Sequence, residues 1–238
     1  SENGDFARGD EVIVTGYDLG MNTPGGFGRY IRVPAEWVVR KPQGLTLREC
    51  MTYGTAGFTA GLSLYKLQAA GVTPDDGDIL VTGASGGVGS MAVAILARAG
   101  YRVVAATGKS DQHEFLKRLG AAEILTRKDV DDKSKRPLLS QRWAGVVDVV
   151  GGNILTAAIT STKRDGSVTT CGLTQSAELN TTVYPFILRG VNLLGINSAD
   201  TQMPVRQQIW RNLAGDWRPE MLEQIGTDRS LEIGRAHV

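Results

Sequence analysis

The 238-residue chain is short of the residues that build metal centres and nucleophilic triads, with two cysteines and two histidines. Cys50 and Cys171 are too few for a disulfide framework or a thiolate cluster, and their scarcity suits a reducing, cytoplasmic setting. His113 stands at the start of a helical stretch and His237 next to the end of the chain, so no Ser–His–Asp arrangement is legible. Charge of one sign is missing as well. A formal net charge of +1 provides no field to gather nucleic acid or an anionic membrane surface. No apolar run nears the ~20 residues that a membrane helix needs, and the longest, 91–99, stops at Gly100. The opening Ser-Glu-Asn-Gly-Asp is polar and unlike a secretion signal. Hydrophobic residues at 42% and charged residues at 21% leave an ordinary soluble chain, long enough for one large domain or one domain and part of another.

Glycine, by contrast, is abundant. The thirty glycines fall at strand ends and turns, where an α/β fold uses them. The stretch up to about Lys41 reads as antiparallel β. It has a strand at 12–15, a second carrying Phe27, Tyr30 and Ile31 after the Gly25-Gly26 turn, and a third at 37–40 closed by Pro42. Residues 47–70 change to a helical period, with a break at 54–57. A buried strand at 78–83, a glycine-rich turn at 85–89, an apolar helix at 90–99 and a second buried strand at 101–106 then make a βαβ unit of about 30 residues. The alternation continues with a helix at 111–119, opened by Asp111 and Glu114 as a capping box, and a helix at 154–162. Further strands fall at 122–125, 146–150, 167–171 and 193–196. Strands alternating with helices imply a doubly wound parallel sheet of Rossmann type. The last six residues, Ile-Gly-Arg-Ala-His-Val at 233–238, resemble the translation of a DNA-sequencing adapter. They are set aside from fold reasoning, which leaves His237 without a role.

Thr82-Gly-Ala-Ser-Gly-Gly-Val-Gly-Ser90 follows a buried strand and opens a helix. Its glycines allow a sharp turn and close approach of the backbone to a ligand, and the free N–H groups of the helix start favour an anion. Strand, spacing, helix and second strand together point to a dinucleotide pyrophosphate. No Gly-Lys-Ser/Thr follows, so a nucleoside-triphosphate loop is excluded. An NAD site would carry Asp or Glu at the end of the second strand, for the ribose 2′-hydroxyl. Here Thr107-Gly-Lys-Ser110 stands instead. Lys109 can offset a 2′-phosphate while Thr107 and Ser110 donate hydrogen bonds, which favours NADPH over NADH. A solvated loop lysine is the plain alternative. Asp111 falls too late for a ribose and is better explained as a cap.

Several further segments are familiar together: Gly54-Thr-Ala-Gly-Phe-Thr-Ala60, Trp143-Ala-Gly145, Cys171-Gly-Leu173, Thr182-Val-Tyr-Pro-Phe-Ile-Leu-Arg189 and Gly195-Ile-Asn-Ser198. With the glycine loop and Thr107-Gly-Lys109, the set resembles the NADPH-dependent acryloyl-CoA reductases and the quinone oxidoreductases grouped with them. These form a zinc-free branch of the medium-chain dehydrogenase/reductase superfamily. The resemblance runs to about Leu213. The Pro-Phe-Ile-Leu-Arg and Gly-Ile-Asn-Ser stretches are its group-specific parts.

The resemblance implies a GroES-like, β-rich catalytic domain, built from both ends of a longer chain around a central Rossmann domain. On that pattern residues 1–53 are the later part of the first catalytic segment and 54–196 the NADPH-binding domain. Residues 197–232 begin the return to the catalytic domain, and 233–238 are the adapter tail. The start and the closing segment of the catalytic domain are then expected to lie outside this chain, together with an Asn-Tyr-Lys-Asp-type segment near the reacting atoms. Carried over by position, Ser85, Gly86, Gly87 and Val88 hold the pyrophosphate, and Thr107, Gly108 and Lys109 the 2′-phosphate. Arg127 lies beside the adenosine phosphate, or is a surface arginine. Leu173 and Ile187 flank the nicotinamide, Ser198 closes the site and Thr55 faces the nicotinamide.

Thr55 stands where zinc-dependent relatives carry a cysteine ligand, and the loop 16–22 has no cysteine, so no metal is expected. Cys50 and Cys171 read as packed thiols. Tyr17, Tyr53 and Tyr184 are the residues able to donate a proton, with nothing to rank them. The implied activity is reduction of acryloyl-CoA to propanoyl-CoA. Quinone or enone reduction on the same scaffold is the alternative, and a non-catalytic NADPH-binding protein is a third reading. The partners implied are a small acyl-CoA, enone or quinone and a second copy of the chain in a homodimer, with neither nucleic acid nor membrane.

Overall fold

Six strands pair in parallel in the computed structural model, which describes residues 6–228 and Ser230. They are β3 (Ile79–Val81), β4 (Val103–Thr107), β5 (Ala121–Thr126), β6 (Trp143–Asp148), β7 (Thr162–Thr170) and β8 (Asn192–Gly195), in the spatial order β5-β4-β3-β6-β7-β8. Every residue of β3, β4 and β6 is buried, as expected of a parallel sheet covered on both faces. The two-residue period divides them between two cores. Ile79, Val81, Val103 and Ala105 face one side with α1 (Leu47–Ala69) and α2 (Gly87–Arg98). Leu80, Val104, Ala106 and Val146 face the other with α5 (Gly152–Ser161). The short helices α3 (His113–Arg118), α4 (Arg127–Val130) and α6 (Tyr184–Arg189) complete the crossovers.

Three of the helical starts are set by capping boxes that the sequence reading did not identify. Thr46 Oγ1 accepts the Glu49 N–H at 3.2 Å while the Glu49 carboxylate accepts the Thr46 N–H at 2.7 Å. Thr73 with Asp76 and Thr126 with Asp129 repeat the pattern. The expected box at Asp111 and Glu114 is not formed. A 3-10 turn, Ser110–Gln112, precedes α3, so Asp111 sits inside a turn rather than at a helix cap. Its carboxylate accepts from Gln112 Nε2, and Glu114 accepts from Lys117. The break expected at 54–57 is a single kink at Gly54, whose φ of 48° and ψ of −149° suit only glycine.

Residues 25–33 form no strand. Only β1 (Val12–Val14) and β2 (Val38–Arg40) pair, antiparallel, and Phe27 and Tyr30 are 89% and 84% exposed. A strand needs a partner for its backbone groups, and this segment has none among the described residues. After β8 the chain packs α7 (Met203–Ala214) and α8 (Leu222–Ile225) against α1; Gly61 lets α7 approach, because a Cβ there would stand 2.9 Å from Ile209 Cγ2. Residues 233–238, read as an adapter tail, and His237 lie outside the described residues. No helix among those described is long and apolar enough to cross a membrane.

Candidate cofactor site at the carboxyl edge of the sheet

Since the six strands are parallel, their carboxyl ends share one edge, and strand order reverses between β3 and β6, where a doubly wound sheet opens a crevice. Most residues singled out by the sequence come to this edge. Ser85, Gly86, Gly87 and Val88 follow β3, Thr107 ends β4 with Gly108 and Lys109 after it, and Arg127 follows β5. Leu173 comes after β7 and Ser198 after β8.

The turn after β3 has the form of an anion cradle. Gly83 turns with φ +57°, the Gly86 N–H donates to the Gly83 carbonyl at 3.0 Å, and Gly86 caps α2. A Cβ at Gly89 would run into the Gly83 carbonyl and stand 2.7 Å from Ala84 Cα, so the helix can start this close to the strand only with glycine there. α2 therefore begins at Gly87, earlier than its apolar run suggested. Gly86 and Gly87 are exposed, and the first N–H groups of the twelve-residue helix have no carbonyl partner within it. This backbone fits a pyrophosphate.

Next to the cradle, Ser85 Oγ and Thr107 Oγ1 are 2.8 Å apart, and Thr107 Oγ1 also accepts the Lys109 N–H at 3.1 Å. Thr107 is 4% exposed, so its hydroxyl is committed within the protein. It ties the phosphate turn to the loop that presents Lys109 instead of reaching outward as the sequence suggested. Gly108 and Lys109 are exposed, and a Cβ at Gly108 would meet nothing within 4 Å. Thr107 pairs in register with Thr126, which brings Arg127, also exposed, alongside. No carboxylate occupies the end of β4. Two exposed cationic side chains at neighbouring strand ends suit a ribose 2′-phosphate.

Asp148 is a residue that the sequence reading passed over as part of a strand. It is fully buried at the end of β6. Its carboxylate accepts from Thr82 Oγ1 at 2.7 Å, the Gly151 N–H at 3.0 Å, Thr170 Oγ1 at 3.2 Å and the Val150 N–H at 3.4 Å. Burial pushes the carboxyl above its ordinary value, against the pull of these four donors. Asp148 thereby joins the ends of β3, β6 and β7 on one acceptor. Its only sequence signal is a lone charge inside Val-Val-Asp-Val-Val.

The remaining residues separate. Leu173, 67% exposed, lies against the start of α5, where a Cβ on Gly151 would be 3.2 Å from Leu173 Cα. Thr55 is exposed just after the α1 kink. Ile187, 67% exposed, lies on α6, whose Arg189 donates to the carbonyls of Thr160 in α5 and Thr162 at the start of β7. Tyr53 is fully buried, donates to the Leu213 carbonyl at 2.8 Å and has its phenol pushed up by burial, so it is a packed tyrosine. Tyr184 is on α6 with Ile187. Tyr17 stacks on Trp37 with ring centres 5.1 Å apart, close to the loop that carries Ser198. Burial raises both thiols, Cys171 to about 12, which makes them poor nucleophiles. Among the described residues no three His, Cys, Asp or Glu are grouped as a metal centre requires.

Residues 87–215 match the sequence model of the zinc-binding dehydrogenase family. A Bacillus subtilis protein, YhfP, named provisionally as a quinone oxidoreductase, is 48% identical over 228 residues, 96% of this chain and 69% of its own length. Its crystal structure with NAD bound has a TM-score of 0.92, covering 94% of this chain and 68% of that one. The acrylyl-CoA reductase AcuI of Ruegeria pomeroyi is 44% identical over 220 residues, 92% of this chain and 67% of its own. Escherichia coli K-12 YhdH, crystallised with bound NADPH, has a TM-score of 0.95 at 44% identity, covering 99% of this chain and 72% of that one.

Proposed function

The chain belongs to the zinc-free acryloyl-CoA reductase and quinone oxidoreductase group of the medium-chain dehydrogenase/reductase superfamily, and on that premise we propose that it reduces acryloyl-CoA to propanoyl-CoA with NADPH. The observation that carries the cofactor is the coupled set Ser85, Thr107 and Lys109 beside an anion cradle, with no carboxylate at the end of β4. Ser85, Gly86, Gly87 and Val88 would hold the pyrophosphate; Gly108, Lys109 and Arg127 would surround the 2′-phosphate, with Thr107 holding their loop in place; Leu173, Ile187, Thr55 and Ser198 would border the nicotinamide end. NADPH, when bound, supplies the hydride for the β-carbon of the activated double bond, and a proton completes the α-carbon. The work of the chain is to orient the ring by fixing the two phosphate ends and to keep the crevice shaped around the acyl group. The acyl-CoA substrate is supported by the 44% identity to AcuI.

Quinone or enone reduction is the second reading, favoured by the name of the Bacillus subtilis relative. The test is a comparison of acryloyl-CoA, simple enones and quinones with the full-length enzyme, following NADPH loss and the acyl product. Propanoyl-CoA formed in step with NADPH consumed is the expected result. Turnover of quinones alone would replace it with the second reading.

A further inference from the structure

We propose that Arg206 is a positioning residue: its guanidinium clamps the Gly16-Tyr17 turn to the loop 197–201 and thereby fixes Ser198 in place at the carboxyl edge. The proposal rests on the carboxyl-edge site described above. Arg206, on α7, is 1% exposed and forms no ion pair among the described residues. All its donors go to neutral oxygens of two loops. Nη1 donates to Thr15 O at 2.8 Å and Thr15 Oγ1 at 3.1 Å; Nη2 donates to Ser198 O at 3.0 Å and Ala199 O at 2.8 Å; Nε reaches Thr201 O at 3.4 Å. The guanidinium carbon lies 4.6 Å from the Tyr17 ring centre and 4.7 Å from that of Phe58.

A buried charge is costly, even with Asp200 near enough to favour it, and an apolar side chain could fill the same space. What the planar fork adds is a fixed geometry between two loops. The turn it holds is strained. Gly16 has φ +78°, and a Cβ there would stand 2.7 Å from Ala199 O. Tyr17 has φ +52°, rare for a bulky side chain, and is held by its N–H to Ala199 O at 3.0 Å. Trp37 stacks on the same ring at an interplanar angle of 9°, so Tyr17 is gripped by Trp37 as well as Arg206. Tyr17 and Ser198 keep partial exposure, and Phe58 is one helical turn from Thr55 on α1. Strain, a buried charge and a clamped ring therefore converge on the loop that follows β8 at the carboxyl edge.

The test uses the full-length enzyme with Arg206→Lys, which keeps charge but not the fork, and Arg206→Met, which keeps length. In both, hydrogen exchange at the Tyr17 amide and across 197–201 should quicken about tenfold while β3 and β4 stay protected. NADPH Kd should stay within about threefold, and kcat/KM for the acyl substrate should fall about ten- to a hundredfold. Tyr17→Ala, which removes the ring and its hydroxyl from the guanidinium, should reproduce the loss. Unchanged exchange in both Arg206 variants, or loss of cofactor affinity in parallel with activity, would overturn the clamp. If wild-type enzyme reduces no conjugated acyl or enone compound, the functional reading fails, and the exchange measurements still decide the clamp.

Discussion

Lys109→Glu is the sharpest probe of cofactor choice. The side chain is exposed and forms no ion pair among the described residues, whereas its backbone N–H is anchored on Thr107 Oγ1 at 3.1 Å. The loop should therefore keep its shape when the charge is reversed, and the effect should be electrostatic. A 2′-phosphate carries a charge of about −1.5 to −2. At about 4 Å a unit charge contributes roughly 1 kcal/mol per opposing charge in water, and more beside the protein. Losing the attraction and adding the repulsion comes to about 2–3 kcal/mol after screening, or roughly 30- to 150-fold in Kd. Lys109→Gln should lose about half as much free energy. Titration of NADPH and NADH by fluorescence or calorimetry, at low and high salt, reads the effect. The NADPH penalty should shrink as salt rises, and NADH affinity should move by no more than about twofold. Equal losses for both cofactors, or a penalty indifferent to salt, would refute the role of Lys109.

Three further outcomes are expected. Thr107→Val deletes the hydroxyl that joins Ser85 to the Lys109 loop, so stability should fall by about 1 kcal/mol and NADPH Kd rise about three- to tenfold. Thr107→Ser should restore both in thermal melts and titrations. Gly89→Ala drives a methyl into the Gly83 carbonyl and should cost about 1–3 kcal/mol in urea unfolding while weakening NADPH; a variant that melts and binds like wild type would show that α2 can shift freely. Glu49, 2% exposed, accepts first from the Thr46 N–H and is also held by Thr46 Oγ1 and Arg218, which keeps its carboxyl below the usual range against the opposing effect of burial. A carboxyl lowered by folding stabilises the fold above its unfolded value and ceases to do so as pH falls through the folded one. The stability advantage of wild type over Glu49→Gln should therefore shrink from about pH 4.5 downward, and a difference independent of pH would exclude this contribution.

Local pattern alone determined the β3–α2–β4 unit. Ile-Leu-Val, the glycine turn, the apolar helix and Val-Val-Ala-Ala each carry their signal within a few residues, and a parallel sheet buried on both faces leaves little else for such runs to form. The same pattern placed Ser85, Gly86 and Lys109 at strand ends, the family resemblance added Arg127, and parallel pairing brought them to one edge. The β-favouring Phe27, Tyr30 and Ile31 suggested a strand, but a strand exists only with a partner, which is a tertiary condition. Asp148 and Arg206 show the reason most plainly. Asp148 is bound by Thr82, 66 residues earlier, and Arg206 by Thr15, 191 residues earlier. No local period records such pairs. Burying a charge requires that every donor and acceptor around it be met at once, and only the folded packing brings those partners together.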